Sequence, residues 1–220
     1  MSHPSLNRPK AIIFDWDNTL IDSWQVINEA FNATFGEFGL AQWTLAETEQ
    51  RVGKSMRDSF PQLFGDDWER AGEIFHNHFR DIHLDRLVPL PTADKALTDL
   101  SESGIYLAVV SNKTGSFLRA EAEKLGWDQH FGHMVGAGDA PHDKPSTDPV
   151  IMALKDSGIS IGQDVWFAGD AVIDLECAQN AGCVPVLVRE RAPSDGEFLG
   201  FKPTIHFNTV QMLSNHVQNL

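Results

Sequence analysis

The stretch Lys10–Asp22, KAIIFDWDNTLID, decides how the chain is read. Its apolar run, Ala11 to Phe14, is short and unbroken, the pattern of a strand buried on both faces of a parallel sheet. The run stops at Asp15-Trp16-Asp17-Asn18-Thr19. Two carboxylates one residue apart repel each other and favour water, and the carboxyl end of a strand is where an open α/β sheet meets its ligands. A strand that merely ends in a polar turn would look the same over these few residues. The weight therefore falls on what the rest of the chain brings to them.

Immediately downstream the pattern is helical. Ser23 is placed to cap a helix over about Trp24–Phe38, with Trp24, Ile27, Phe31, Phe35 and Phe38 on one face. Thr44 to Glu47 forms a capping box that starts a second helix. A short helix is expected over Ser55–Phe60, stopped by Pro61, and a longer one over Asp67–Leu84. From Leu87 onward strands and helices alternate. Thr92 is placed to cap a helix ending near Ser103. Strands are expected at Ile105–Val110, Met134-Val135, Val165–Ala168 and Val184–Val188, with an edge strand at Ile205–Phe207, and helices fall between them. Asp148-Pro149 opens one of these helices. Such alternation implies a parallel sheet covered on both sides. The helical block then reads as an insertion after the first strand, which divides the chain into a discontinuous core, 1–21 and 89–220, and a helical cap, 22–88.

Composition narrows the partners. The 220 residues carry 17 basic and 31 acidic side chains, a net charge of −14. That argues against nucleic acid and anionic membranes, whose affinity comes from clustered Lys and Arg. No apolar run reaches the length of a membrane span, and the first nine residues lack the apolar core of a signal peptide. Cys177 and Cys183 are too few for a disulfide scaffold and read as reduced thiols. A cytoplasmic location is expected. Oligomeric state is not legible.

Four points carry reactive groups at or near strand ends: Asp15 with Asp17, Ser111-Asn112, Lys144, and Asp170 with Asp174. Converging carboxylates do not all stay ionised without a cation, and hard oxygen ligands favour Mg²⁺. Lys144 adds a fixed positive charge. Ser111 offers a hydroxyl and nearby backbone N–H groups suited to phosphate oxygens. The combination describes phosphoryl transfer to an aspartyl nucleophile.

This set, DxDxT, a strand-terminal Ser, an isolated Lys and GDxxxD, resembles the haloacid-dehalogenase-like hydrolase superfamily over Asp15 to Asp174, in particular its phosphoglycolate-phosphatase-like and β-phosphoglucomutase-like members. The resemblance implies a Rossmann-like α/β core with a small all-helical cap. It implies that Asp15 attacks phosphorus, and that Asp17 protonates the leaving oxygen and then activates water. Ser111, the Asn112 backbone and Lys144 would hold the phosphoryl group. Asp15, the Asp17 carbonyl and Asp170 would hold Mg²⁺, with Asp174 ligating it or orienting a bound water. The cap residues Arg51, Lys54, Ser55 and Arg57 flank the break at Gly53, where such proteins often line the substrate entrance; solvated charge is the competing reading. The acid at Asp17 favours a phosphate ester over a carbon–halogen bond. The implied function is a Mg²⁺-dependent phosphatase of a small phosphorylated metabolite, phosphoglycolate-like or a sugar phosphate. The alternatives are a phosphomutase using the same residues and an aspartyl-phosphate signalling module; the lid-sized insert and the acid pair favour turnover over the latter.

Two positions depart from the family pattern. Asn18 stands where Gly is common, and Asn tolerates positive φ. Asp143 precedes Lys144 where Gly is frequent, and its charge would weaken the local positive potential. His76 and His78 on the cap helix do not share the i, i+4 spacing of a metal pair and read as surface residues. Cys177 reads as packing.

Overall fold

The computed structural model describes residues 6–220. The sheet begins with β1 (Ala11–Phe14), followed by the two-residue strand β2 (Ile21–Asp22). Four helices come next: α1 (Trp24–Glu37), α2 (Leu45–Arg51), α3 (Met56–Phe64) and α4 (Trp68–Ile82). The chain then runs β3 (Val88–Pro89), α5 (Ala93–Glu102), β4 (Tyr106–Thr114), α6 (Gly115–Leu125), β5 (His133–Ala137) and α7 (Asp148–Ala153). It closes with β6 (Val165–Gly169), α8 (Val172–Asn180), β7 (Val184–Val188), β8 (Ile205–Phe207) and α9 (Val210–Gln218).

The main sheet has the order β5-β4-β1-β6-β7-β8, and each neighbouring pair is parallel. β1 lies between β4 and β6, the point where successive strands are laid down on opposite sides and the connecting helices diverge. Its alternating side chains serve two cores. Ile12 and Phe14 face a layer with α5, α6 and α9, through Leu97, Leu118 and Leu213 among others. Ala11 and Ile13 face α7 and α8, through Val150 and Ala178. An unbroken apolar run is thus what a strand with helices on both faces requires.

The inserted helices build a third core, in which Phe31, Phe35, Phe60 and Phe79 pack together with Phe117 of α6. The two crossings between this block and the sheet pair with each other, since β2 and β3 form an antiparallel ribbon. α3 runs through Pro61 instead of stopping before it. Proline in a helix interior loses a hydrogen bond, but Phe60 and Phe64 on either side pack against Phe31 and Phe35, with ring centres 5.6 and 5.8 Å apart. Packing outweighs the local break. Ser23 and Thr92 stand at helix N-caps, yet neither side chain makes the capping bond. The Thr44–Glu47 capping box is present. Among the described residues no helix is long and apolar enough to cross a membrane.

β5 meets α6 backbone to backbone. A Cβ added at Gly136 would lie 2.4 Å from Gly115 Cα and 2.6 Å from the Lys113 carbonyl oxygen. Gly136→Ala should therefore cost about 1–3 kcal/mol through overpacking, lowering the melting temperature by roughly 2–4 °C per kcal/mol for a chain of this size. An unchanged thermal melt would contradict this contact.

Candidate active site

The four sequence-marked points meet at the carboxyl ends of β1, β4 and β6. Asp15 follows β1, and its N–H donates to the Ala168 carbonyl at 2.8 Å. The turn beyond it holds Asn18 at φ 60°, the conformation in which Asn replaces Gly at low steric cost. Asn18 also braces the loop, accepting a bond from the Ser23 N–H at 3.2 Å.

Lys144 is buried, with its Nζ 2.8 Å from Asp15 Oδ1 and 2.7 Å from Asp174 Oδ1. The other Asp174 oxygen accepts the Ala171 N–H at 3.0 Å. Asp174 approaches β6 this closely because residue 169 is Gly; a Cβ there would sit 2.3 Å from Asp174 Cγ. Asp170 completes the group and accepts a bond from Thr19 Oγ1 at 3.3 Å. One oxygen each from Asp15, Asp170 and Asp174 fall within 4.8 Å of one another. Three carboxylates against one lysine leave an excess of negative charge in a largely buried site. Burial, then the charge of Asp174, push the Asp15 carboxyl up to about 7 against the pull of Lys144. Burial, then the charges of Asp174 and Asp15, hold Asp170 well above the usual carboxylate range. For Lys144, burial favours the neutral amine, but Asp15 and Asp174 outweigh it and keep the ammonium form. An all-oxygen donor set with unbalanced negative charge fits a hard divalent cation.

Asp17 stands outside this carboxylate group. Its Oδ1 lies 2.7 Å from Lys113 Nζ and accepts the Ser23 hydroxyl, which explains why Ser23 does not cap α1. Lys113 in turn lies 2.6 Å from Glu121 Oε2. Glu121 also accepts Trp16 Nε1 at 2.7 Å and sits 2.8 Å from His83 Nδ1. Asp17 and Glu121 overcome the effect of burial and hold Lys113 above its ordinary pKa. Burial would raise Glu121, but Lys113, His83 and Trp16 hold it below the usual range.

No role for Lys113, Glu121 or His83 was legible from the sequence. The available signal was Glu121 itself, an acid on the helix face that carries Phe117, Leu118 and Ala122. The surface reading of His76 needs correction, since its Nε2 lies 3.0 Å from Thr114 Oγ1. His83, one residue past the end of α4, is buried.

Ser111 is buried beside the carboxylates, and its Oγ accepts the Lys113 N–H at 3.2 Å. The Asn112 side chain spans two segments. It accepts the Lys144 N–H at 3.1 Å and donates to the Gly53 carbonyl of the helical block at 3.2 Å. Of the cap residues named from sequence, Lys54 lines the cavity over the carboxylates. The others turn elsewhere. Ser55 donates to Asp58, Arg51 pairs with Glu47, and Arg57 Nε lies 2.6 Å from Asp143 Oδ2. Arg57 thereby matches the charge of Asp143, which does not act as an uncompensated anion beside Lys144.

Fold and site together define an α/β enzyme with its reactive carboxylates at the switch point of a parallel sheet. Residues 12–188 match the haloacid dehalogenase-like hydrolases, and the chain belongs to that family. It is 28% identical to a phosphoglycolate phosphatase of Chromobacterium violaceum over 84% of this chain and 86% of the relative. It is also 28% identical to the pyrophosphatase PpaX of Halalkalibacterium halodurans, over 80% and 82%. The fold is shared with a haloacid dehalogenase-like family hydrolase of Streptococcus pneumoniae, at TM-score 0.82 and 22% identity over 95% of this chain and 98% of that one.

The raised carboxyls set a direction for cation binding. Because the Asp15 value in the folded protein lies above that of the unfolded chain, its ionisation destabilises the cation-free fold as pH rises through about 7; a bound cation removes that cost. Titration calorimetry with Mg²⁺ should show affinity falling by about tenfold per pH unit below 7, as protons compete for the same oxygens. An affinity flat with pH would show that these carboxylates are not the ligands.

Proposed function

We propose that this chain is a Mg²⁺-dependent phosphatase that hydrolyses a small phosphorylated metabolite through an aspartyl phosphate on Asp15. The observation that carries the reading is Lys144 held between Asp15 and Asp174, at the floor of the cavity that Asp17, Ser111 and Asp170 also line. The names of the relatives, a phosphoglycolate phosphatase and a pyrophosphatase, support it.

In this reading an Asp15 carboxylate oxygen attacks phosphorus, and the bond from phosphorus to the leaving oxygen breaks. The leaving oxygen takes its proton from Asp17. Water then attacks phosphorus with Asp17 as base, and the bond to Asp15 breaks, releasing phosphate. Lys144 orients Asp15 and balances charge on the phosphoryl oxygens, assisted by Ser111 and the Asn112 backbone. Asp15, Asp170 and the Asp17 carbonyl would hold Mg²⁺, and Asp174 would add charge while fixing Lys144. Mg²⁺, when bound, neutralises charge on the transferring group. Residues 22–88 would act as a lid that limits water over the acyl phosphate.

A panel of phosphate monoesters together with pyrophosphate, assayed for free phosphate with Mg²⁺, tests the reading. Asp15→Asn should reduce turnover by more than ~10³-fold, the loss of a covalent path. Wild-type release no greater than that of the variant on every compound would sink the assignment, and isomerised sugar phosphate in place of free phosphate would indicate a phosphomutase. Lys113→Met should lower kcat by about 10–100-fold with little change in KM, because it frees the acid–base group without touching the nucleophile. The double variant Lys113→Met/Glu121→Gln, which leaves no unpaired buried acid at residue 121, should show the same kcat loss. Recovery of wild-type kcat in the double variant would assign Lys113 to stability alone.

A further inference from the structure

Resting on the phosphatase reading above, we infer that the preferred substrate carries a small apolar body, a single ring or short branched chain, and no second anionic group. The cavity over Asp15 has a volume of ≈ 140 Å³. Its floor is charged, and its walls are mostly apolar. Ile27, Phe31, Phe60 and Phe75 of the inserted helices, with Phe117 of α6, surround the space into which the non-phosphate end of a substrate would project. The phosphoryl group takes part of that volume, which keeps the rest of the substrate small.

Cations decide the matter. Phosphoglycolate carries a carboxylate beside its phosphate, and pyrophosphate carries a second phosphate group. Either would place an extra negative charge against the aromatic wall, where it needs a partner. Among the described residues three cationic side chains line the cavity: Lys54, Lys113 and Lys144. Lys113 is held by Asp17 and Glu121, and Lys144 by Asp15 and Asp174. Arg57, which lies in the same cap segment, is turned to Asp143. Lys54 alone remains, and it is exposed to solvent, where its interaction with a carboxylate is screened.

Two hydroxyls on the wall are engaged as well. The Ser59 hydroxyl donates to the Ser55 carbonyl at 2.9 Å, and Thr114 Oγ1 is bonded to His76. The Ser59 proton is thus not left for a charged substrate terminus. A ring buried against the phenylalanines would instead release water from apolar surface on both sides.

Benzyl phosphate and ethyl phosphate have primary alcohol leaving groups of similar acidity, so a rate difference between them reports the fit of the ring. Wild-type kcat/KM should be at least ~10-fold higher for benzyl phosphate than for ethyl phosphate, 2-phosphoglycolate or pyrophosphate, a discrimination within reach of an apolar pocket. Phe75→Asn should shrink the benzyl-to-ethyl ratio below about threefold. Equal or faster turnover of 2-phosphoglycolate or pyrophosphate would overturn the inference and leave the phosphatase reading standing. Phosphate release that never exceeds the Asp15→Asn background would overturn both. A wild-type preference that persists in a folded Phe75→Asn variant would also count against the aromatic wall as its source.

Discussion

Lys144 lies buried between Asp15 and Asp174, and the strand ends on either side are arranged about that contact. A lone carboxylate at this depth would be driven to the neutral form. A lone ammonium would be equally unfavourable. Paired, they stay at the end of the sheet, although the third acid, Asp170, leaves the cluster over-supplied with negative charge. Removing one partner of such a buried pair typically costs about 3–5 kcal/mol. The requirement reaches into the backbone. Gly169 has no side chain so that Asp174 can approach β6, and the β1–β6 pairing fixes Asp15 opposite it.

A second buried lysine repeats the device on the other side of β1. Lys113 joins Asp17 to Glu121, and Glu121 continues to Trp16 and to His83 just past the end of α4. Asp15 and Asp17 are separated by one residue, yet they belong to different charge networks. Lys144 holds one and Lys113 the other, so the two carboxylates need not share a proton or a cation. The Lys113 network also ties the inserted helices to the sheet, because His83 stacks on Phe79 and lies against Phe117. Arg57 to Asp143 and Asn112 to Gly53 add polar links between the same two parts.

Much of this was legible residue by residue. β1 showed itself as an unbroken apolar run, and its two buried faces explain why it did not alternate. The aromatic stripe from Trp24 to Phe38 marked α1, and Asn18 was recognisable as a residue able to take a positive φ. The reading failed where a local rule met distant packing. Pro61 was expected to end α3, but packing of Phe60 and Phe64 against α1 carries the helix past it. Ser23 had the composition of a cap, but the nearby carboxylate of Asp17 takes its hydroxyl. His83 showed no sign of its role, because nothing near it in sequence shows that Glu121 lies opposite.

The sequence by itself determined the alternation of strands and helices, the position of the helical insert, and the chemical kinds of group at each strand end, since these follow from periodicity and from residue type. Only the tertiary structure decided which lysine meets which acid, that Arg57 and Ser55 turn away from the cavity while Lys54 lines it, and that the cavity wall is aromatic. Those choices depend on strand order and on how the inserted helices dock over α6. Both bring together side chains from distant segments, so no local pattern in the chain encodes them.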